Sequence, residues 1–275
     1  MRLERVIDFQ NIGPGRTAIM TLPIGPTYEA IHIDLNGGLA ITDIATIVGK
    51  IDGKPFYTCT GAELRKQINY DGWGMPTDKL TLDFTMPDAK SQGSPNGPTS
   101  QAAEILLTCL PSAVMQTLTF EFKLSSAAPS VSAMSALMQL SEPTGNPYVK
   151  KQFEANYSLA GANTHSLLIP TGESGGMLEK IFLHTSGAGA ITNIEIKNNG
   201  VTIMEATPEE IQYIQTNRFK KAQQADLLVL DFHLQGLRSK LFNTVMGKNT
   251  YMKLVTDGAM NINAYSRFID PINRK

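Results

Sequence analysis

Apolar and polar side chains alternate with a period of two along much of this chain. Thr117-Leu118-Thr119-Phe120-Glu121-Phe122-Lys123-Leu124 puts four apolar side chains on one face and four polar ones on the other. Ile31-His32-Ile33-Asp34-Leu35 and Leu80-Thr81-Leu82-Asp83-Phe84-Thr85-Met86 do the same. Further on, Leu228, Leu230, Phe232 and Leu234 alternate with Val229, Asp231 and His233. This pattern predicts strands with one buried face, the kind found in antiparallel sheets that pack on each other. Turn signals separate the runs at short intervals: Gly13-Pro14-Gly15, Gly25-Pro26, Asn36-Gly37-Gly38, Asp52-Gly53, Asn198-Asn199-Gly200 and Asp257-Gly258. Many short strands at this spacing predict a sandwich or jelly roll.

Two places carry a helix signal instead. Thr60-Gly61-Ala62-Glu63 and Thr207-Pro208-Glu209-Glu210 both read as capping boxes. In each, a threonine hydroxyl and a glutamate three residues on satisfy amide groups at a helix start. Pro208 falls at the first helical position, where its missing N–H costs nothing.

The chain also repeats itself. Glu29 to Ile44 and Glu179 to Ile194 share seven of sixteen residues without a gap: Glu29, Ile31, Gly37, Ala40, Ile41, Thr42 and Ile44. Other matches follow in the same order, among them Thr17 with Thr164, Gly53 with Gly200, Thr60 with Thr207, and Asp83-Phe84 with Asp231-Phe232. The offset stays between 147 and 150, the size of a whole domain and not of a solenoid repeat. The expected architecture is all-β: two tandem eight-stranded jelly rolls from a duplicated domain, each with one short helix. The expected bounds are 1–124 for the first jelly roll with an N-terminal arm, 125–147 for a linker rich in small residues and proline, and 148–275 for the second jelly roll. The polar stretch from Pro87 to Ser100 reads as a long surface loop with no equally Gly- and Pro-rich counterpart in the second copy.

Composition narrows the function. With 275 residues, 42% of them hydrophobic, the chain can bury a substantial core. A net charge of -1 argues against specific nucleic-acid binding, which usually shows a basic excess. No apolar run approaches the length of a membrane-spanning helix, and the first residues lack the apolar centre of a secretory signal. Cys59 and Cys109 are the only cysteines, which suits a protein made in a reducing cytoplasm; a single disulfide stays open.

Candidate chemistry is sparse. Gly172-Glu173-Ser174-Gly175-Gly176 fits the G-x-S-x-G pattern of hydrolases, with Ser174 as the nucleophile. That elbow needs a strand before it and a helix after it; here Pro170 precedes and a strand-like run follows, so a glycine-rich turn is the expectation. His32, His165, His184 and His233 show no metal-ligand spacing. Gly13-Pro14-Gly15-Arg16 is too short for a phosphate loop. Asp83 and Asp231 recur in both copies, which suits a structural role. Structural calcium at a carboxylate cluster stays open, although no EF-hand-like spacing supports it. No catalytic, cofactor-binding or metal residues are assigned, and no cofactor is expected. Arg2, Arg5, Lys150, Lys151, Arg274 and Lys275 gather at the chain ends and the linker; they read as solvated termini or as contacts for phospholipid head groups.

The opening Asp8-Phe9-Gln10-Asn11-Ile12-Gly13-Pro14-Gly15-Arg16-Thr17-Ala18 and the following Leu22-Pro23-Ile24-Gly25-Pro26-Thr27-Tyr28 resemble the start of double jelly-roll major capsid proteins. The resemblance is to those of tailless, internal-membrane bacteriophages of the corticovirus and autolykivirus kind. Asp52-Gly53-Lys54, Leu230-Asp231-Phe232-His233-Leu234-Gln235-Gly236 and Tyr265-Ser266-Arg267-Phe268-Ile269-Asp270 fit the same pattern. The resemblance implies a non-enzymatic viral protein, made in the host cytoplasm and located in the virion. It implies a homotrimer with a pseudo-hexagonal outline that tiles an icosahedral shell over an internal membrane. The implied partners are neighbouring trimers, penton and minor capsid or membrane proteins, and lipid head groups. The loop Pro87 to Ser100 would lie at an exposed end or an inter-trimer contact. A jelly-roll binding module, a viral spike or lectin-like domain, is the alternative. It would need an aromatic-rich binding loop, and Trp73 is the only tryptophan.

Overall fold

Strands dominate the computed structural model, which describes residues 2–5, 9–93, 97–130, 132–169, 176–244 and 250–272. Two compact units divide the chain, Met1–Phe153 and Glu154–Lys275. Unit 1 contains β1 (Arg2–Arg5), β2 (Thr17–Thr21), β3 (Thr27–Asn36), β4 (Ile44–Ile51), β5 (Lys54–Cys59), α1 (Gly61–Tyr70), β6 (Lys79–Asp83), α2 (Gln101–Ile105), β7 (Leu110–Pro111), β8 (Leu118–Leu124) and β9 (Ala133–Ser141). One of its sheets runs β1-β9-β3-β6, with β7 also on β3; the other runs β5-β4-β8-β2. β10 (Tyr148–Leu159) crosses the division between the units; within unit 1 its Gln152 pairs in parallel with Tyr57 of β5.

Unit 2 continues with β11 (Asn163–Leu168), β12 (Met177–Gly187), β13 (Ile191–Asn198), β14 (Val201–Ala206), α3 (Pro208–Phe219), β15 (Leu227–Asp231), β16 (Phe242–Asn243), β17 (Thr250–Thr256) and β18 (Met260–Pro271). Its sheets run β15-β12-β18, with β16 on β12, and β11-β17-β13-β14. Each unit is a jelly roll. Alternation builds both cores: Ile31, Ile33, Phe120 and Phe122 are buried in unit 1, and Ile181, Leu183, Ile194, Ile196 and Leu254 in unit 2. Each side chain of this size stabilises the fold by about 1.5–3 kcal/mol on burial.

Strand pairing confirms the duplication residue by residue. Ile31 pairs with Leu82 and Met138 on its two sides, as Ile181 pairs with Leu230 and Ser266. A β-bulge interrupts β3 between Tyr28 and Ala30, and β12 between Leu178 and Lys180. The repeated glutamates, Glu29 and Glu179, are the bulged residues, and each carbonyl accepts the equivalent amide: Phe84 at 3.0 Å and Phe232 at 2.9 Å. The two-residue hairpins match too. Asp52 and Asn199 both have φ of 50°, followed by Gly53 at 75° and Gly200 at 82°. These left-handed pairs suit the twist of a tight hairpin, which is why Asp-Gly and Asn-Gly occupy them.

The structure corrects four expectations. The segment 125–147 is not simply a linker: β9 lies between β1 and β3, because Met134, Ala136, Met138 and Leu140 alternate into the core of unit 1. Unit 1 has two helices, not one. Ser100 caps α2 through its hydroxyl, which accepts the Ala103 amide at 3.1 Å, and Ala102-Ala103 favour the helical turn. The gap-free match of Ala40 to Ile44 with Ala190 to Ile194 is not the structural one. Paired ladders put Ile44 with Ile191 and Ile47 with Ile194, so unit 1 holds a three-residue 3₁₀ turn, Ile41–Asp43, that unit 2 lacks. Finally, the strands over Leu80 and Leu228 stop at Asp83 and Asp231 instead of running on to Met86 and Leu234. Each aspartate accepts the amide two residues on, Thr85 at 2.8 Å and His233 at 2.9 Å, which turns the chain out of the ladder.

Candidate functional site

The capping residues, the recurring aspartates and the histidines singled out in the sequence make contacts within the fold. Both helix starts are capped as expected: Thr60 accepts the Glu63 amide at 3.2 Å, and Thr207 and Glu210 close a full capping box. Asp83 accepts both the Thr85 hydroxyl at 2.7 Å and the Trp73 indole N–H at 2.9 Å. Asp231 lies within 3.6 Å of the buried Lys180 ammonium. The four histidines sit apart in role. His32 is bonded to Thr81 at 3.1 Å, and His165 lies 3.3 Å from the Gly161 carbonyl. His184 packs edge-on to Tyr265, and His233 is buried beyond β15. Among the described residues, no group of three or more His, Cys, Asp or Glu is placed to hold a metal ion. Ser174 and its glycine-rich motif lie outside the described residues, as do Arg274 and Lys275.

Gly13-Pro14-Gly15-Arg16 is the expected turn: the Arg16 amide donates to the Gly13 carbonyl at 3.1 Å, and β2 starts at the next residue. The loop from Pro87 is pinched by Gln92 and Thr99, whose backbone groups bond at 2.8 Å, and it ends at the Ser100 cap. The basic residues divide. Lys150 and Lys151 are buried, and the Lys150 ammonium donates to the Thr85 carbonyl, so neither offers charge to a lipid surface. Arg2 is exposed and paired with Glu4. No described helix is long and apolar enough to cross a membrane.

Two features escaped the sequence reading. Both long helices bury a glutamine, Gln67 and Gln215, whose side chain ties the helix to a neighbouring segment; Gln215 donates to the Val229 carbonyl at 2.7 Å. A polar residue on a helix gives no periodic signal of burial, and counting from the caps Thr60 and Thr207 sets Gln67 opposite Ile214 and not Gln215, so the repeat does not point to it either. The second is a cavity of about 280 Å³ on the outer face of the β9-β3-β6 sheet, lined by His32, Trp73, Met75, Pro76, Thr81 and Leu137. The loop after α1 carries Trp73 over β6, where its indole bonds to Asp83 and its ring lies 5.5 Å from that of His32. This is a concave, partly apolar surface whose lining also includes Asp34 and Lys79, which pair with each other.

Both thiols lie in the interior. Cys59 and Cys109 are both buried and not joined in a disulfide. Burial, helped by the nearby Glu29 carboxylate, pushes the Cys109 thiol up to about 12; burial and then Glu4 push the Tyr28 phenol to about 12 as well. Both groups stay protonated in the folded chain where the unfolded chain would ionise, so unfolding releases protons in alkali. The stability they supply is complete below about pH 9 and falls as pH rises from 9 towards 12. A thiol reagent at pH 8 is expected to leave Cys109 unmodified in the native protein and to label it on denaturation. Rapid labelling of the native protein would contradict this burial.

Comparison with known proteins gives these units a family. The model of the viral coat protein P2 N-terminal domain matches residues 3–141, and that of the P2 C-terminal domain matches residues 149–272. The fold matches the crystal structure of the major capsid protein P2 from bacteriophage PM2 with a TM-score of 0.86 at 18% identity, over 100% of this chain and 99% of that one. It also matches the Sulfolobus turreted icosahedral virus structure (TM-score 0.69, 10% identity, 98% and 91% covered) and the PBCV-1 virus capsid (0.63, 11%, 100% and 97%). No curated protein sequence matches significantly. With one family domain on each of its two duplicated jelly rolls, the chain belongs to the viral coat protein P2 family and is a viral coat protein.

Proposed function

We propose that three copies of this chain close into a ring of six similar domains, and that these pseudo-hexameric rings tile an icosahedral shell over an internal membrane. The observation that supports this most directly is the duplication itself: two units with the same ladder registers and the same bulges. A three-fold ring of such chains offers six near-equivalent edges to its neighbours. The role is structural and not catalytic, since the recurring carboxylates terminate strands. Neighbouring rings, penton proteins and minor capsid or membrane proteins are the expected partners, with synthesis in the host cytoplasm and a final place in the virion shell. Lipid contact would fall to the exposed Arg5 and the chain ends, because Lys150 and Lys151 are buried. No cofactor is expected; calcium between rings is tested by adding a chelator to assembled shells.

Light scattering behind a sizing column tests the ring. Three chains of 29.9 kDa give about 90 kDa. A stable species of that mass supports the capsomer. A monomer at the highest soluble concentration, under every salt and calcium condition tried, overturns it.

A further inference from the structure

The 3₁₀ turn that unit 1 has and unit 2 lacks leaves a space where it would lie. In unit 1 the path from Asn36 to Ile44 runs through residues 37–43; in unit 2 the equivalent path from Ser186 to Ile191 has only residues 187–190. The longer path folds back over a helix start. Ile41 is 2% exposed, and its amide donates to the Thr77 carbonyl at 3.4 Å. Its own carbonyl oxygen lies so close to Gly61 that a Cβ there would stand 2.3 Å from it.

Unit 2 has a cavity of about 420 Å³ at this place. Matching backbone bonds fix the equivalence: the Leu35 amide donates to the Asp78 carbonyl at 2.9 Å, and the Thr185 amide to the Asp226 carbonyl at 3.0 Å. Asp226 thus corresponds to Asp78 and Ala225 to Thr77, while the caps Thr60 and Thr207 set Pro208 opposite Gly61. Ala225 and Pro208, the counterparts of the two residues that bracket Ile41, both line the cavity. Ile191 lines it as well and is only half-buried, whereas Ile44, its counterpart beside the turn, is 1% exposed. Every lining residue belongs to unit 2, so the cavity is a property of that unit by itself.

We propose that this cavity is a binding site for a peptide turn of a second protein, which seats an aliphatic side chain where unit 1 seats its own Ile41. Leu227, Leu228 and Met260, all buried, supply the apolar part of the lining. Thr185, Gln212 and Gln224 supply polar groups. A peptide turn presents both N–H and C=O groups, and a glutamine amide both donates and accepts, so Gln212 and Gln224 suit either. The Ala225 carbonyl stands to an incoming N–H as the Thr77 carbonyl stands to that of Ile41. The volume falls within the range of pockets that hold small ligands, and a mixed lining with an apolar floor is typical of them. Asp226 is the one charged residue among the described lining residues, which disfavours an anionic ligand. The donor is a protein other than this chain, because the Ile41 turn is buried within its own unit and is not available to another copy.

Ligand-observed NMR tests the site, using the full chain and an end-blocked peptide with the sequence of residues 39–44, Leu-Ala-Ile-Thr-Asp-Ile. Saturation is expected to pass from the protein to the peptide methyls, most strongly at the isoleucine that matches Ile41, with half-saturation on the order of 1 mM. Replacing that isoleucine by aspartate should weaken binding about tenfold or more, since the apolar contact is lost. Gln212→Trp, which fills the cavity from the helix, should weaken the original peptide by about the same factor. Circular dichroism establishes that this variant is folded; Ala225→Trp replaces it if it is not. No transfer at about 10 mM peptide overturns the site, as does equal transfer to the aspartate peptide or from a folded, filled variant. The site lies in unit 2 alone, so its failure and that of the ring are separable: a monomer that binds the peptide overturns only the ring, and a trimer that does not bind it overturns only this site.

Discussion

Replacing Phe120 with alanine is expected to destabilise unit 1 by about 3–5 kcal/mol, the range for removing a fully buried aromatic ring. Phe120 has no exposed surface and lies at the centre of an aromatic cluster, with the rings of Phe56 and Phe84 both 6.0 Å away. Such ring pairs add to the transfer free energy of the side chain itself. The cavity left behind cannot collapse easily, because β8 is paired on both sides, to β2 and to β4. Gly49 on β4 sits directly against the ring: a Cβ there would come within 2.7 Å of Phe120. The glycine and the phenylalanine are therefore one packing unit. The loss should appear as a lower midpoint in chemical denaturation, while Phe120→Leu, which keeps most of the volume, should cost less than about 1.5 kcal/mol. Equal, small losses for both variants would show that this cluster is not the centre of the core.

Gly61→Ala is the second large effect, and its sign runs against helix propensity. In an ordinary helix, exchanging glycine for alanine gains up to about 1 kcal/mol. At this position the added Cβ would stand 2.3 Å from the Ile41 carbonyl oxygen and 2.9 Å from the Ile44 Cβ. The first is a backbone atom of the 3₁₀ turn Ile41–Asp43 and cannot swing aside. Overpacking of this kind typically costs 1–3 kcal/mol, and contact with fixed backbone places this case at about the upper end. Unit 2 lacks that turn, and the matching first residue of its helix is Pro208. The three-residue insertion and the glycine belong together: the turn brings the chain so close to the helix start that no side chain fits. Gly74→Ala, where no heavy atom lies within 4 Å, is the control and should be nearly neutral. Thermal unfolding of the three proteins side by side decides it; a Gly61→Ala protein as stable as the natural chain would mean the helix start shifts freely.

Much of this protein is local and was legible along the chain. Alternation along Leu118 to Leu124 places the β8 face, since successive strand side chains point to opposite sides. Thr60 and Thr207 mark both long helices, because their caps are made within four residues. Asp52-Gly53 and Asn199-Gly200 mark the hairpins through left-handed backbone that few residues adopt. The shared Glu29 and Glu179 exposed the duplication, and with it the jelly-roll pair and the family. What the tertiary structure alone decided depends on contacts between distant residues. Ala133 to Ser141 became a core strand because β3 and β1 lie on either side of it. The 3₁₀ turn at Ile41 shifted the true alignment of the copies, which identical residues had concealed. Lys150, by its charge a surface residue, was drawn into the interior by the Thr85 carbonyl. The cavity beside Trp73 has no signature of its own in the sequence. A surface is exposed or covered according to what the rest of the fold brings to it, and copies with the same pattern of residues can differ in that alone.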